Sequence, residues 1–201
     1  MANNPASAIS WFELALKKDP ENIKIYNYLG IAYEQIGENS KAVETYKRGL
    51  DYAGDIKSVF LTNIGNNLVI QGNYDGAIEY YSQAITLDNN GDALRNRAGE
   101  YIRNHSYANA LDDYKLYLMV ESEPFQETEI RKVISLLELK LDDLARKYLE
   151  EERKRLEEEA RQRDLLSQVL NSLSSAGEDT TNLSAGSETV EDYETDFDIV
   201  D

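Results

Sequence analysis

Small and aromatic residues recur at fixed positions along the first 121 residues, separated by mostly polar stretches. Three segments align with one another, and in each a small residue is followed twelve positions later by an alanine and four positions after that by a tyrosine. The matching positions are Gly30, Ala42 and Tyr46; Gly65, Ala77 and Tyr81; and Ala98, Ala110 and Tyr114. Successive alanines lie 35 and 33 residues apart, which predicts a helical repeat with a period of about 34 residues.

Each repeat is predicted to be a pair of antiparallel helices, because the small residues let two helices approach closely while the tyrosines fill the space beside them. Gly37 and Gly72 are expected to end the first helix of their units in a left-handed conformation. Asp19 and Pro20 break the chain before the first full unit. Full units are therefore predicted at residues 23–56, 58–90 and 91–123, with the second half of another unit at residues 5–20.

This pattern resembles the tetratricopeptide-repeat family over about Pro5 to Glu121. The resemblance implies an all-α, right-handed solenoid of antiparallel helix pairs, whose first helices line a concave groove for a peptide or protein. Asparagine side chains both donate and accept hydrogen bonds, so they suit the backbone of an extended peptide. The residues predicted to contact the ligand are Asn27, Ile31, Asn63, Asn66, Ile70, Arg95, Asn96 and Arg103.

The sequence departs from the family pattern at Gly49, Arg97 and Tyr117. One subclass of the family binds acidic chaperone C-termini through a Lys/Asn/Asn/Lys/Arg clamp. Here Asn63 is the one match among the five corresponding positions, so the clamp is not expected. Those positions are Asn27, Ile31, Asn63, Asp92 and Asn96.

Beyond Pro124 the pattern loosens. Ala145 lies 35 residues after Ala110, at the repeat period. Residues 126–149 are therefore predicted to form a degenerate fourth unit, whose second helix begins near Asp142 and runs on through residues 150–173 as a charged helix with a leucine-rich tip. Three charged positions on its apolar face weaken the coiled-coil interpretation, so a solvated helix stays an alternative. The residues expected to contact a partner helix or a second copy, at this tip and at the open half unit, are Trp11, Phe12, Leu166, Val169, Leu170 and Leu173.

Residues 174–201 carry nine acidic residues and no lysine or arginine, which predicts a disordered acidic tail. Tyr193, Phe197 and Ile199 interrupt the acidic run and suggest a short binding motif. The alternatives are a solubilising tail and an autoinhibitory segment that lies in the protein's own groove near Arg95 and Arg103.

Candidate chemistry is sparse. The sequence has no cysteine and a single histidine, His105, so no zinc site or cysteine–histidine pair can be assembled. Neither an enzyme nor a cofactor or metal is therefore expected. The net charge of −17 disfavours nucleic acid and anionic membranes as partners and favours a basic protein surface.

No signal peptide or membrane-spanning run is evident, which favours a cytoplasmic protein. The preferred function is a non-enzymatic scaffold or adaptor that binds a peptide or protein in its groove. The alternatives are a self-assembling structural protein and an autoinhibited binder.

Overall fold

The computed structural model describes residues 5–183, with side chains to residue 173, and every regular element in that part of the chain is helical. The predicted all-α class is therefore confirmed. Two short 3₁₀ turns, Leu50–Tyr52 and Gly54–Ile56, join the third and fourth helices. The α-helices are α1 (Pro5–Lys18), α2 (Ile23–Gln35), α3 (Asn39–Gly49), α4 (Lys57–Ile70), α5 (Tyr74–Asp88), α6 (Gly91–Arg103), α7 (Tyr107–Val120) and α8 (Glu127–Leu183).

The helices before α8 pack on their neighbours in sequence, so α2 pairs with α3, α4 with α5 and α6 with α7. Close approach within a pair depends on the repeated small residue. A Cβ atom added at Gly65 would lie 2.5 Å from the ring of Tyr81, and Gly30 meets the ring of Tyr46 in the same way. The ring that fills each contact is completely buried, which accounts for the spacing seen in the sequence.

Left-handed residues form the turns inside each pair. Gly37 has a φ of 77° and Gly72 a φ of 78°, a conformation that glycine adopts without a steric penalty. His105 occupies the third of these turns with a φ of 65°. Nδ1 of its exposed ring lies 2.9 Å from the hydroxyl of Tyr107. The single histidine is therefore a residue of a surface turn.

Two apolar clusters form the interior of residues 5–144. The first involves α1 to α5 together with Ala93 of α6, and it includes Tyr46, Phe60 and Tyr81. The second joins α6 and α7 to the first turns of α8, where Ile130 and Leu137 are buried. The beginning of α8 therefore covers the apolar surface of the last helix pair.

Arg97, which departs from the repeat pattern, forms a buried ion pair. Its Nε and Nη2 donate to the two carboxylate oxygens of Asp113 at 2.8 and 2.7 Å, and its Nη1 donates to Ser82 Oγ at 2.8 Å. One side chain of α6 thus connects α5 to α7. The arginine replaces apolar packing by charge-assisted hydrogen bonds, which are stronger than neutral ones.

The C-terminal part of the chain differs from the sequence prediction. A turn was expected near residue 142, between the two helices of a fourth unit at residues 126–149, but α8 is continuous from Glu127 to Leu183. The segment LELKLDDLARK contains neither glycine nor proline and is rich in strong helix formers, so nothing in it ends a helix. The described residues divide into two units, one that ends at Leu144 and one that begins at Ala145.

The prediction of disorder from residue 174 is wrong for residues 174–183, which belong to α8. The rest of that segment, with the predicted motif residues Tyr193, Phe197 and Ile199, lies outside the described residues.

Candidate functional site

The first helices of the three repeats lie side by side. From α4, Asn67 Nδ2 donates to Glu34 Oε1 on α2 at 2.6 Å. From α6, Asn96 Nδ2 donates to Asn66 Oδ1 on α4 at 2.8 Å. These two contacts join α2, α4 and α6 into one continuous surface, which we call the first-helix face, and all eight residues predicted to contact a ligand lie on these helices.

Two of the predicted asparagines bind each other. Asn66 Oδ1 accepts hydrogen bonds from Asn96 Nδ2 and from the Tyr81 hydroxyl, both at 2.8 Å. The side-chain oxygen of Asn66 is therefore bound by two donors of the protein itself, and its bond to Asn96 holds the second repeat against the third. A ligand would meet an amide pair already held in one orientation.

A second polar cluster, at the junction of the first and second repeats, has a carboxylate at its centre. Glu34 Oε1 accepts from the Tyr46 hydroxyl at 3.1 Å as well as from Asn67. Asn67 is 1% exposed, and its Nδ2 also donates to the backbone oxygen of Asn63 at 2.8 Å, while its buried Oδ1 has no hydrogen-bond partner. Burial and the Glu34 carboxylate raise the pKa of the Tyr46 hydroxyl far above its usual value.

Neither Glu34 nor Asn67 was among the predicted site residues, although the sequence contains a signal for Asn67. Its register position holds Ala32 in the first repeat and Glu100 in the third. A buried position that changes from alanine to polar residues between repeats indicates hydrogen bonding specific to one junction.

The two predicted arginines are on α6 and have partners within the protein. Arg95 pairs with Asp92 at 3.1 Å and lies over the ring of Phe125. Arg103 pairs with Glu100 at 2.9 Å and lies 4.4 Å from the centre of the Tyr74 ring. A guanidinium has five N–H donors, so each arginine keeps donors beyond these contacts.

The first-helix face also offers apolar and open surface. Ile70, at the end of α4, is 66% exposed, whereas Ile31 is half-buried. Asn27 and Asn63 are half-buried too. At Gly99, in the middle of α6, an added Cβ atom would meet nothing within 4 Å.

The residues predicted for partner contacts divide into packed and exposed ones. Phe12 stacks on the ring of Tyr28, with ring centres 6.0 Å apart, whereas Trp11 is 71% exposed. On α8, the four predicted side chains at the leucine-rich tip are all exposed: Leu166, Val169, Leu170 and Leu173.

A groove of about 490 Å³ lies between α1, α2 and α3, with Tyr26 and Tyr33 among the residues that line it. The Tyr33 hydroxyl donates to Glu13 Oε1 at 2.7 Å. Burial and this hydrogen bond raise the pKa of Tyr33 to about 12. Lys41 and Arg48 contribute positive charge to the groove and lie over its tyrosine rings.

Neither a metal-binding cluster nor a membrane-spanning helix is found in the part of the chain that the structure describes. No group of three His, Cys, Asp or Glu side chains there could hold a metal ion. No helix in the same residues is long and apolar enough to cross a lipid bilayer.

Comparison with known families agrees with the repeat geometry. A tetratricopeptide-repeat profile matches residues 11–44, and a second one matches residues 59–90. The chain contains tetratricopeptide repeats. The first profile covers parts of the half unit and of the first repeat, including Gly30, and the second covers the second repeat, where Gly65 meets the ring of Tyr81.

Two curated proteins are similar to part of this chain. One is the probable UDP-N-acetylglucosamine–peptide N-acetylglucosaminyltransferase SPINDLY of Hordeum vulgare, 28% identical over 90 residues, which is 42% of this chain and 10% of the relative. The other is the DnaJ homolog subfamily C member 7 homolog of Schizosaccharomyces pombe, 29% identical over 132 residues, which is 58% of this chain and 28% of the relative. The matches therefore span at most 28% of these relatives.

Solved tetratricopeptide-repeat structures have the same fold. MamA aligns with a TM-score of 0.60 at 22% identity, over 73% of this chain and 80% of its own. The Sgt2 domain from Aspergillus fumigatus aligns with a TM-score of 0.53 at 18% identity, over 62% and 82%. The first such domain of Spaghetti (RPAP3), solved with an HSP90 peptide, aligns with a TM-score of 0.50 at 23% identity, over 57% and 92%. The predicted helical solenoid is confirmed by these likenesses.

Proposed function

We propose that this protein is a non-enzymatic scaffold that binds a peptide or protein segment along its first-helix face. A related fold, the first repeat domain of Spaghetti, was solved with a bound peptide, which supports this class of function. A cytoplasmic location stays a prediction from the sequence.

The observation that carries the proposal is the open space above Gly99. Glycine inside a helix costs about 1 kcal/mol relative to alanine, and most of the helical glycines whose surroundings the structure describes have a packing reason for that cost. Gly30 and Gly65 accommodate tyrosine rings, and Gly91 accommodates the side chain of Glu121. Gly99 has no such neighbour, so its missing side chain is best explained by a ligand whose backbone approaches α6.

The surroundings of Gly99 suit an extended segment. The Asn66–Asn96 pair lies on the same face and is fixed by the Tyr81 hydroxyl. Ile70 supplies exposed apolar surface and Arg103 supplies positive charge. Because hydrogen bonds between repeats already hold this face, binding would order few side chains, which lowers its entropic cost.

The overall charge adds a preference about the partner. A net charge of −17 attracts a partner with a basic patch at long range. The first-helix face would then select the segment that fits, with Arg95 and Arg103 favouring a carboxylate near the α6 end of the face.

The test begins with a displayed library of random peptides panned against the full chain. The peptide that is enriched most is synthesised, and its affinity is measured by calorimetry for the wild type and for Gly99→Trp, which fills the open space. Ala108→Trp, at an exposed position of the second helix α7, is the matched control.

We expect Gly99→Trp to weaken the peptide at least about tenfold, a loss of about 1.4 kcal/mol, and Ala108→Trp to leave its affinity unchanged. Equal affinity for the wild type and Gly99→Trp would overturn the assignment of the face. Failure of any peptide to be enriched would overturn the peptide-binding function itself.

A further inference from the structure

One side of α8 carries leucines in the alternating spacing of a coiled coil. Positions three and four residues apart lie on one face of a helix, and here they form the α8 seam, at residues 149, 152, 156, 159, 163, 166, 170 and 173. The five leucines of the seam are each 53–65% exposed. They are Leu149, Leu156, Leu166, Leu170 and Leu173.

Ion pairs on other faces of α8 join charged residues of the same helix. Lys154 pairs with Glu150 at 2.8 Å and Arg153 pairs with Glu157 at 2.9 Å, in both cases one turn apart and away from the seam. These contacts stabilise a solvated helix but leave the leucine side exposed. An apolar stripe of this length on a helix favours association.

The charges in the seam decide which way a second copy would lie. In a parallel pair equal positions meet, so Glu152 would face Glu152, Glu159 would face Glu159 and Arg163 would face Arg163 of the second copy. Three like-charge contacts would then lie in the interface, and like charges disfavour pairing. The parallel arrangement is therefore unfavourable.

An antiparallel pair removes every like-charge contact. With Leu149 opposite Leu173 of the second copy, Leu156 meets Leu166 and Arg163 meets Glu159. Each of these contacts occurs twice because of the twofold symmetry. The remaining contact places Glu152 opposite Leu170, and the carboxylate of Glu152 already pairs with Arg155 of its own helix.

We propose that two copies of this chain associate through the α8 seam as an antiparallel coiled coil, with Arg163 of each copy paired to Glu159 of the other. The overlap from residue 149 to residue 173 is about 37 Å long at 1.5 Å per residue. This dimer uses only residues of α8 beyond Leu144, outside the unit that contains the repeats. It therefore stands independently of peptide binding by the repeats.

A charge exchange in the full chain tests the orientation. Arg163→Glu places a second carboxylate opposite Glu159 at both symmetric sites, so we expect the dimer dissociation constant from sedimentation equilibrium to rise at least about tenfold. The double variant Glu159→Arg with Arg163→Glu restores opposite charges and should return the constant to near that of the wild type. Arg161→Glu makes the same charge change outside the seam and is the matched control.

A parallel dimer would respond differently, because Arg163→Glu would exchange one like-charge contact for another and the double variant would rescue nothing. Either absence of rescue or a wild-type chain that sediments as a monomer at all concentrations would overturn the proposal.

The absence of cysteine from the chain allows an independent test. Leu156→Cys and Leu166→Cys are prepared separately, mixed and oxidised under mild conditions. The antiparallel pairing predicts a disulfide between the two different variants, which their masses distinguish. Disulfides that join two copies of the same variant would overturn it.

Discussion

Replacing Arg97 by methionine tests the packing of α6 against α7 in the third repeat, because it removes one half of a buried ion pair with Asp113. The Asp113 side chain is 7% exposed and that of Arg97 is 17% exposed, so the remaining carboxylate would have little access to water. Breaking a buried pair by removing one partner costs about 3–5 kcal/mol. That loss is a large part of the roughly 5–15 kcal/mol that stabilises a typical folded domain.

The assay is urea unfolding of the full chain, followed by far-ultraviolet circular dichroism at one pH and salt concentration. Lys115→Met is the control, because Lys115 and Glu138 form a surface pair with both side chains 51% exposed. Exposed pairs contribute at most about 1 kcal/mol. The double variant Arg97→Met with Asp113→Leu removes both charges and should recover most of the lost free energy of unfolding.

Equal losses for Arg97→Met and Lys115→Met would refute the reasoning, because they would mean that the Asp113 carboxylate reaches water in the folded protein. Failure of the double variant to recover would show that the repeats depend on the charges themselves and not on avoiding an unpaired one.

Two further predictions concern individual residues. Gly65→Ala should lower the free energy of unfolding by about 1–3 kcal/mol, because its Cβ atom would collide with the Tyr81 ring. Gly99→Ala should raise the free energy of unfolding by about 1 kcal/mol. Urea midpoints of the two variants that move in the same direction would contradict this contrast. The pKa of Tyr33 is raised from 10.0 to about 12, so the folded protein retains a proton that the unfolded chain releases. The resulting stabilisation is complete below pH 10 and is lost as the pH rises toward 12. Tyr33→Phe should flatten the decline in stability over that range, and an unchanged decline would exclude this contribution.

The repeat fold could be predicted from the sequence because it depends on local size. Gly30 and Gly65 are small because a tyrosine ring occupies the space beside each of them, and that constraint recurs with the period of the repeat. The likeness to other tetratricopeptide-repeat structures confirms the solenoid.

The continuity of α8 was harder to predict. Ala145 follows the repeat period, which suggested a second helix beginning nearby, but a helix ends only where the chain supplies a breaker or a packing reason. The segment around Asp142 supplies no glycine or proline, so local helix propensity determined the outcome and the period did not.

The candidate site could be predicted as a surface but not as a set of contacts. The helical register places Asn66 and Asn96 on the same face, yet it does not indicate that their side chains lie 2.8 Å apart and bind each other. Arg97 is a similar case, since its partner Asp113 is on the next helix. Such pairings depend on the distance between neighbouring helices, and a periodic sequence pattern does not predict that distance.

The central claim, that a peptide lies along the first-helix face, is tested most directly by nuclear magnetic resonance with the peptide selected from the library. Backbone amide shifts of the ¹⁵N-labelled full chain are recorded as the peptide is added. We predict that the largest changes occur on α2, α4 and α6, near Asn63, Gly99 and Arg103. Changes confined to the second helices α3, α5 and α7 would contradict the account.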